Sequence, residues 1–203
     1  DDGGCNLSYP QASPRSYRGD QVRRGHDSRQ LAFDSSDKLY TYFDTSGSNP
    51  YGAVNDAVFR DVASWYHIVW QVDAANTDQK IWVNGVELAC NSGQDPPDYS
   101  YAMNKASHLM AMGATAWDSV GGHSDLLLAE VHYIDGTKYQ ASDFGETNED
   151  TGQWVPKEAS GITYGTNGCY LKFTDNSNTT AATLGKDSAG SNNWTPNNFS
   201  VSA

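Results

Sequence analysis

Residues able to do chemistry are scattered along this chain, and few stand at the spacing that chemistry requires. Hydrolysis of a glycosidic bond needs two carboxylates a fixed distance apart across it. The nearest pair, Glu130 and Asp135 in EVHYID, fails on strand periodicity. Glu130 shares a face with His132 and Ile134, whereas Asp135 falls on the other face, in a turn. None of the five histidines sits in a recognisable partner motif, and no Gly-x-Ser-x-Gly elbow occurs. Walker-type and dinucleotide-binding glycine patterns are missing as well. The three cysteines, Cys5, Cys90 and Cys169, are an odd set without CxxC spacing, which indicates neither a zinc site nor a disulfide framework. Cys90 and Cys169 read as small buried apolar residues. A non-enzymatic chain is the expectation.

Binding has more to stand on. Sugars stack their apolar faces on aromatic rings and bond their hydroxyls to Asp, Asn and loop backbone. The candidate glycan-binding residues are Trp117, Asp118 and His123 in one Gly-rich loop, with Tyr99 and Tyr101 beside Pro96-Pro97 in another. These loops precede and follow one expected strand, Ser107 to Gly113, and so lie at its opposite ends. That placement argues against a single compact site, and the competing reading is that the aromatics plug loops onto the domain. The net charge of −12 argues against a nucleic-acid partner. No apolar run approaches the roughly 20 residues of a membrane helix. The N-terminus has neither the basic start nor the apolar core of a signal peptide, and its lack of an initiator Met points to processing or to a longer polypeptide.

The elements that must position these residues are strands. From Ser64 to Leu88 the chain reads as a meander. Tyr66, Ile68, Trp70 and Val72 alternate with His67, Val69, Gln71 and Asp73, predicting a strand with one strongly apolar face. After a polar turn around Asn76 to Gln79, a second strand runs into Asn84-Gly85, a hairpin signal because both turn positions need positive φ. Further strands are expected at Leu31–Phe33, Lys38–Phe43, Val54–Arg60, Ser107–Gly113, Leu126–Ile134 and Gly168–Phe173, with one short helix between Lys138 and Glu149. Residues 1–30 carry five of the six arginines and show no alternation; they read as an extended basic arm, able to dock on a neighbouring subunit.

WYHIVWQVD followed by KIWVNGVEL, and then LLLAEVHYIDG, resembles the core signature of laminin-G-like, concanavalin A-like jelly rolls. DFGETNEDTGQWVPK and YGTNGCYLKFTDNSNTTAATLGKDSAGSNNWTPNNFSV are similar to a narrower group, the jelly-roll modules in structural proteins of tailed bacteriophages, marine ones in particular. The resemblance covers about residues 31–203. It implies an all-β, concanavalin A-like (laminin-G-like) jelly-roll β-sandwich with an extended N-terminal arm. The sandwich would occupy residues 31–150, and 151–203 would be a turn-rich segment whose strands complete it or pair with a neighbour. The aromatic-rich first strand of that group has no counterpart before Leu31, so another segment supplies it or the sandwich is incomplete. The fold also includes glucan hydrolases, but their Glu-x-Asp-x-Glu strand is missing here. His67 falls where the family's strand has a His, which implies packing or a structural hydrogen bond. Relatives outside the phage group hold Ca²⁺ with loop Asp and Asn; the candidates here are Asp73, Asn76 and Asp78, or Asp118 and Asp125, at no diagnostic spacing.

Two functions follow as expectations. The first is a structural virion protein (fibre, knob or capsid decoration), assembled in the host cytoplasm and acting through contacts with copies of itself and other virion proteins. The second is a lectin-like module that reads host surface polysaccharide, with glycan hydrolysis a remote third.

Overall fold

A computed structural model describes residues 5–9, 28–44, 54–73, 75–90, 109–116, 120–124 and 126–200. Within them the regular structure is antiparallel strand joined by turns and irregular segments, with one 3-10 turn, Ala141–Asp143. The protein is all-β. Its main sheet has six strands. In spatial order these are β13 (Cys169–Leu171), β10 (Val131–Asp135), β1 (Cys5–Tyr9), β5 (Ile68–Asp73), β6 (Asp78–Val83) and β7 (Val86–Glu87). A second sheet holds β2 (Ser28–Phe33), β3 (Lys38–Asp44) and β4 (Val54–Val58). Two hairpins complete the set: β8 (Thr115–Ala116) with β9 (Val120–Gly121), and β11 (Gly145–Thr147) with β12 (Trp154–Pro156).

The expected meander is present. Asn84 (φ 49°) and Gly85 (φ 78°) make the tight turn between β6 and β7, and the Asn84 side chain accepts from the His67 backbone N–H at 2.8 Å. Alternation along β5 places Tyr66, Ile68, Trp70 and Val72 in the main core, with Ile81, Val83, Val131, Tyr133, Cys169 and Leu171. Leu39 and Phe59 enter that core from the second sheet, so it is the layer between two sheets. A polar bridge crosses it: Gln79 Oε1 accepts from Trp70 Nε1 (3.1 Å) and Thr41 Oγ1 (2.9 Å). Burial without such partners would be costly.

Several expectations change. Cys5–Tyr9 and the start of β2 fall within the segment read as an arm, yet they are strands. β1 lies in the middle of the main sheet, with residues 5, 7 and 9 in register with Val72, Trp70 and Ile68. CNLSY alternates over only five residues, too short a pattern to stand out from the polar sequence after it. Of the strand expected at Ser107–Gly113, the described residues 109–113 are irregular, and Leu109 is exposed. The strand expected from Leu126 begins only at Val131, after Glu130 turns through φ 51°. At the C-terminus, β13 pairs with β10 and forms an edge of the main sheet.

Candidate functional site

The main sheet has a second buried face, which holds most of the polar chemistry. All six residues of β5 are buried, not alternate ones. Opposite the main core, Val69, Trp82 and Ile134 pack under Ala141 and Phe144, with Tyr139, Trp154, Ile162 and Tyr164 around them. The covering residues come from one stretch, 137–164, folded from the 3-10 turn and the β11–β12 hairpin. Each polar residue that alternates along this face binds that cover. Gln71 Nε2 donates to the Tyr139 carbonyl (3.0 Å), and Lys138 Nζ donates to the Asp73 carboxylate. The third bond runs from Trp154 Nε1 to His67 Nδ1 at 3.0 Å.

Trp154 occupies a slot that two glycines create. A β-carbon on Gly85 would sit 2.3 Å from the Trp154 ring, and one on Gly145 would sit 2.5 Å from its Nε1. Gly85 therefore serves twice: as the second residue of the tight turn and as the floor under the indole. Because an indole N–H only donates, His67 Nδ1 must be the acceptor, so the imidazole is neutral with its proton on Nε2. Burial works in the same direction and pushes the His67 pKa down to about 4.

A second buried imidazole lies on β10. His132 Nδ1 is 2.8 Å from the Tyr164 hydroxyl, and its ring stacks on Tyr170 with centroids 4.0 Å apart. Burial, then the charges of His67 and Lys172, lower its pKa to about 3. Tyr170 carries Lys172 Nζ over its ring at 5.1 Å, and burial raises its own pKa to about 12. Behind it the C-terminal phrase KDSAGSNNW folds back on β13. The Asp187 carboxylate accepts from the backbone N–H groups of Tyr170 (2.8 Å), Ala189 (2.9 Å) and Asn192 (3.0 Å). Asn192 Nδ2 bonds the Gly168 carbonyl, and Trp194 Nε1 donates to the Cys169 thiol at 3.1 Å. Burial raises that thiol to about 11, so Cys169 is a packed, unreactive group. Cys90 is half-buried.

Tyr99, Tyr101, Trp117, Asp118 and Asp125 lie outside the described residues, and His123 is exposed just past β9. Of the calcium candidates, Asp73 is buried and already holds three donors, Lys138 Nζ, Asn76 Nδ2 (2.8 Å) and Asn76 N (3.3 Å). Those bonds, Lys138's first, hold its carboxyl below the usual range. Asp78 stands directly across the sheet from it. Among the described residues, no group of three or more His, Cys, Asp or Glu is placed to hold a metal ion. Glu130 lies just before β10, while the Asp135 carboxylate accepts from Asn167 N (3.2 Å) and Nδ2 (2.9 Å). His67 stands out in the sequence, whereas its partner Trp154 lies 87 residues away with no local pattern to link them.

No protein-family model matches the chain, and neither a curated protein nor a solved structure matches it.

Proposed function

We propose that this chain is a concanavalin A-like jelly-roll module of a phage structural protein, without enzymatic activity, acting through contacts with other subunits in the virion. The observation that carries this reading is the use made of its motif residues. His67, Gly85, Gly145, Trp154, Asp187 and Trp194 all stand in the phrases that carry the resemblance. His67, Gly85, Gly145 and Trp154 join the cover to the main sheet, and Asp187 and Trp194 fasten the C-terminal phrase to β13. A scaffold whose motifs are structural fits a role in which shape is the product. Exposed apolar side chains at Trp65, Val86, Leu127 and Phe199 supply material for subunit contacts.

Mass spectrometry of particles purified from the culture that encodes the chain tests this reading. The chain is expected at a copy number set by the particle's symmetry, and its absence from intact particles would contradict the proposal. A glycan array probed with the folded chain, with and without calcium chelation, separates the lectin alternative. Calcium-dependent binding lost on Trp117→Ala would put the glycan reading first.

A further inference from the structure

The two buried histidines lie on the same face of the same sheet, and each bonds an aromatic residue of the same cover. We propose that residues 137–164 form an acid-released cap. A proton on His67 Nδ1 breaks the bond to Trp154, and the cap leaves the outer face of the main sheet, uncovering Val69, Trp82 and Ile134, while the inner core stays closed.

The chemistry of the two contacts differs, and the difference locates the trigger. Protonated His67 would set two N–H donors against each other at 3.0 Å, with no lone pair between them. Trp154 has little room to adjust, because Gly85 and Gly145 hold the indole in its slot. His132 has an alternative, since the Tyr164 hydroxyl can turn and accept. His67 is the trigger; His132 adds only the cost of a buried charge.

Among the described residues, the groups facing these rings are mostly neutral. Trp154, Phe144 and Tyr164 approach from the cap, and Tyr170 from β13. Of the charged groups, Lys172 lies over Tyr170, and Glu130 and Glu158 act on that tyrosine. The Asp73–Lys138 pair ties the cap to the sheet, but Lys138 is half-exposed, so the pair opposes release only weakly. The inner core holds Leu39, Phe59, Ile68, Trp70, Val72, Ile81 and their neighbours, none of which titrates between pH 4 and 7. Acid therefore acts on one layer and not the other.

The test follows the intact chain labelled with 5-fluorotryptophan by fluorine NMR, alongside the His67 ring proton resonances, from pH 7 to pH 3.5. The Trp154 resonance, assigned with Trp154→Phe, is expected to move in step with His67 titration while Trp70 holds its native shift. His67→Gln keeps an oxygen acceptor for the indole but cannot titrate, and should lower the release pH by at least about one unit. Loss of Trp154 and Trp70 signals together, or release of His67→Gln at the parental pH, overturns the proposal. Should His67→Gln fail to fold, the parent decides alone: His67 titrating with Trp154 unmoved overturns it equally.

Discussion

Trp154 can lie flat on the main sheet because two of its neighbours have no β-carbon. Gly145→Ala should therefore destabilise the protein by about 1–3 kcal/mol through overpacking, and Trp154→Ala by about 3 kcal/mol. In the double variant the Gly145→Ala penalty should vanish, because the ring it strikes has gone; urea denaturation at pH 7 measures the cycle. Burial of His67 beneath that indole sets a pH dependence. The folded-state pKa of His67 lies near 4, against 6.5 for the free side chain. The unfolded or open form therefore binds more protons below pH 6.5. His67's contribution to stability is complete above that value, falls as pH drops from 6.5 towards 4, and levels off below. At its limit the loss is about 3 kcal/mol. Cap stability measured at pH 7, 5.5 and 4.5 should decline in that order. At this scale the sequence was half legible. Asn84-Gly85 announced the turn and its positive φ, but the indole under Gly85 comes from far along the chain, and no local pattern points to it.

Among the elements, β5 decides the architecture. Its period of two was readable, and the sorting of Tyr66, Ile68, Trp70 and Val72 into one core follows from it directly. Burial of the other face was not readable, since His67, Gln71 and Asp73 are the residues a solvated face would carry. Each is satisfied by a residue of the cap, and only tertiary packing reveals that. β1 escaped for a different reason: five residues of alternation among polar neighbours give too weak a signal. The anchors of these elements differ in strength. Lys138 is half-exposed, so Lys138→Ala should cost no more than about 1 kcal/mol despite the close ion pair. Asp187 is buried and accepts three backbone N–H bonds, so Asp187→Ala should cost about 3 kcal/mol or more and loosen residues 185–194 first. Hydrogen exchange at the amides of Tyr170, Ala189 and Asn192 reads that loss directly.

At the scale of the whole molecule, three layers lie in order: the second sheet, the main sheet and the cap. The inner core is mostly apolar, with polar contacts at Gln79, Asn55 and Cys169, whereas the outer layer is docked through polar and aromatic contacts. Motifs that might have presented reactive groups instead tie these layers together. We propose that the chain works as architecture, through association with other copies and neighbours. Light scattering coupled to size exclusion, on the intact chain at neutral pH and rising concentration, tests it most directly. A stable species of at least twice the 22.1 kDa chain mass is expected. A folded monomer at every concentration, binding glycan on an array, would contradict it.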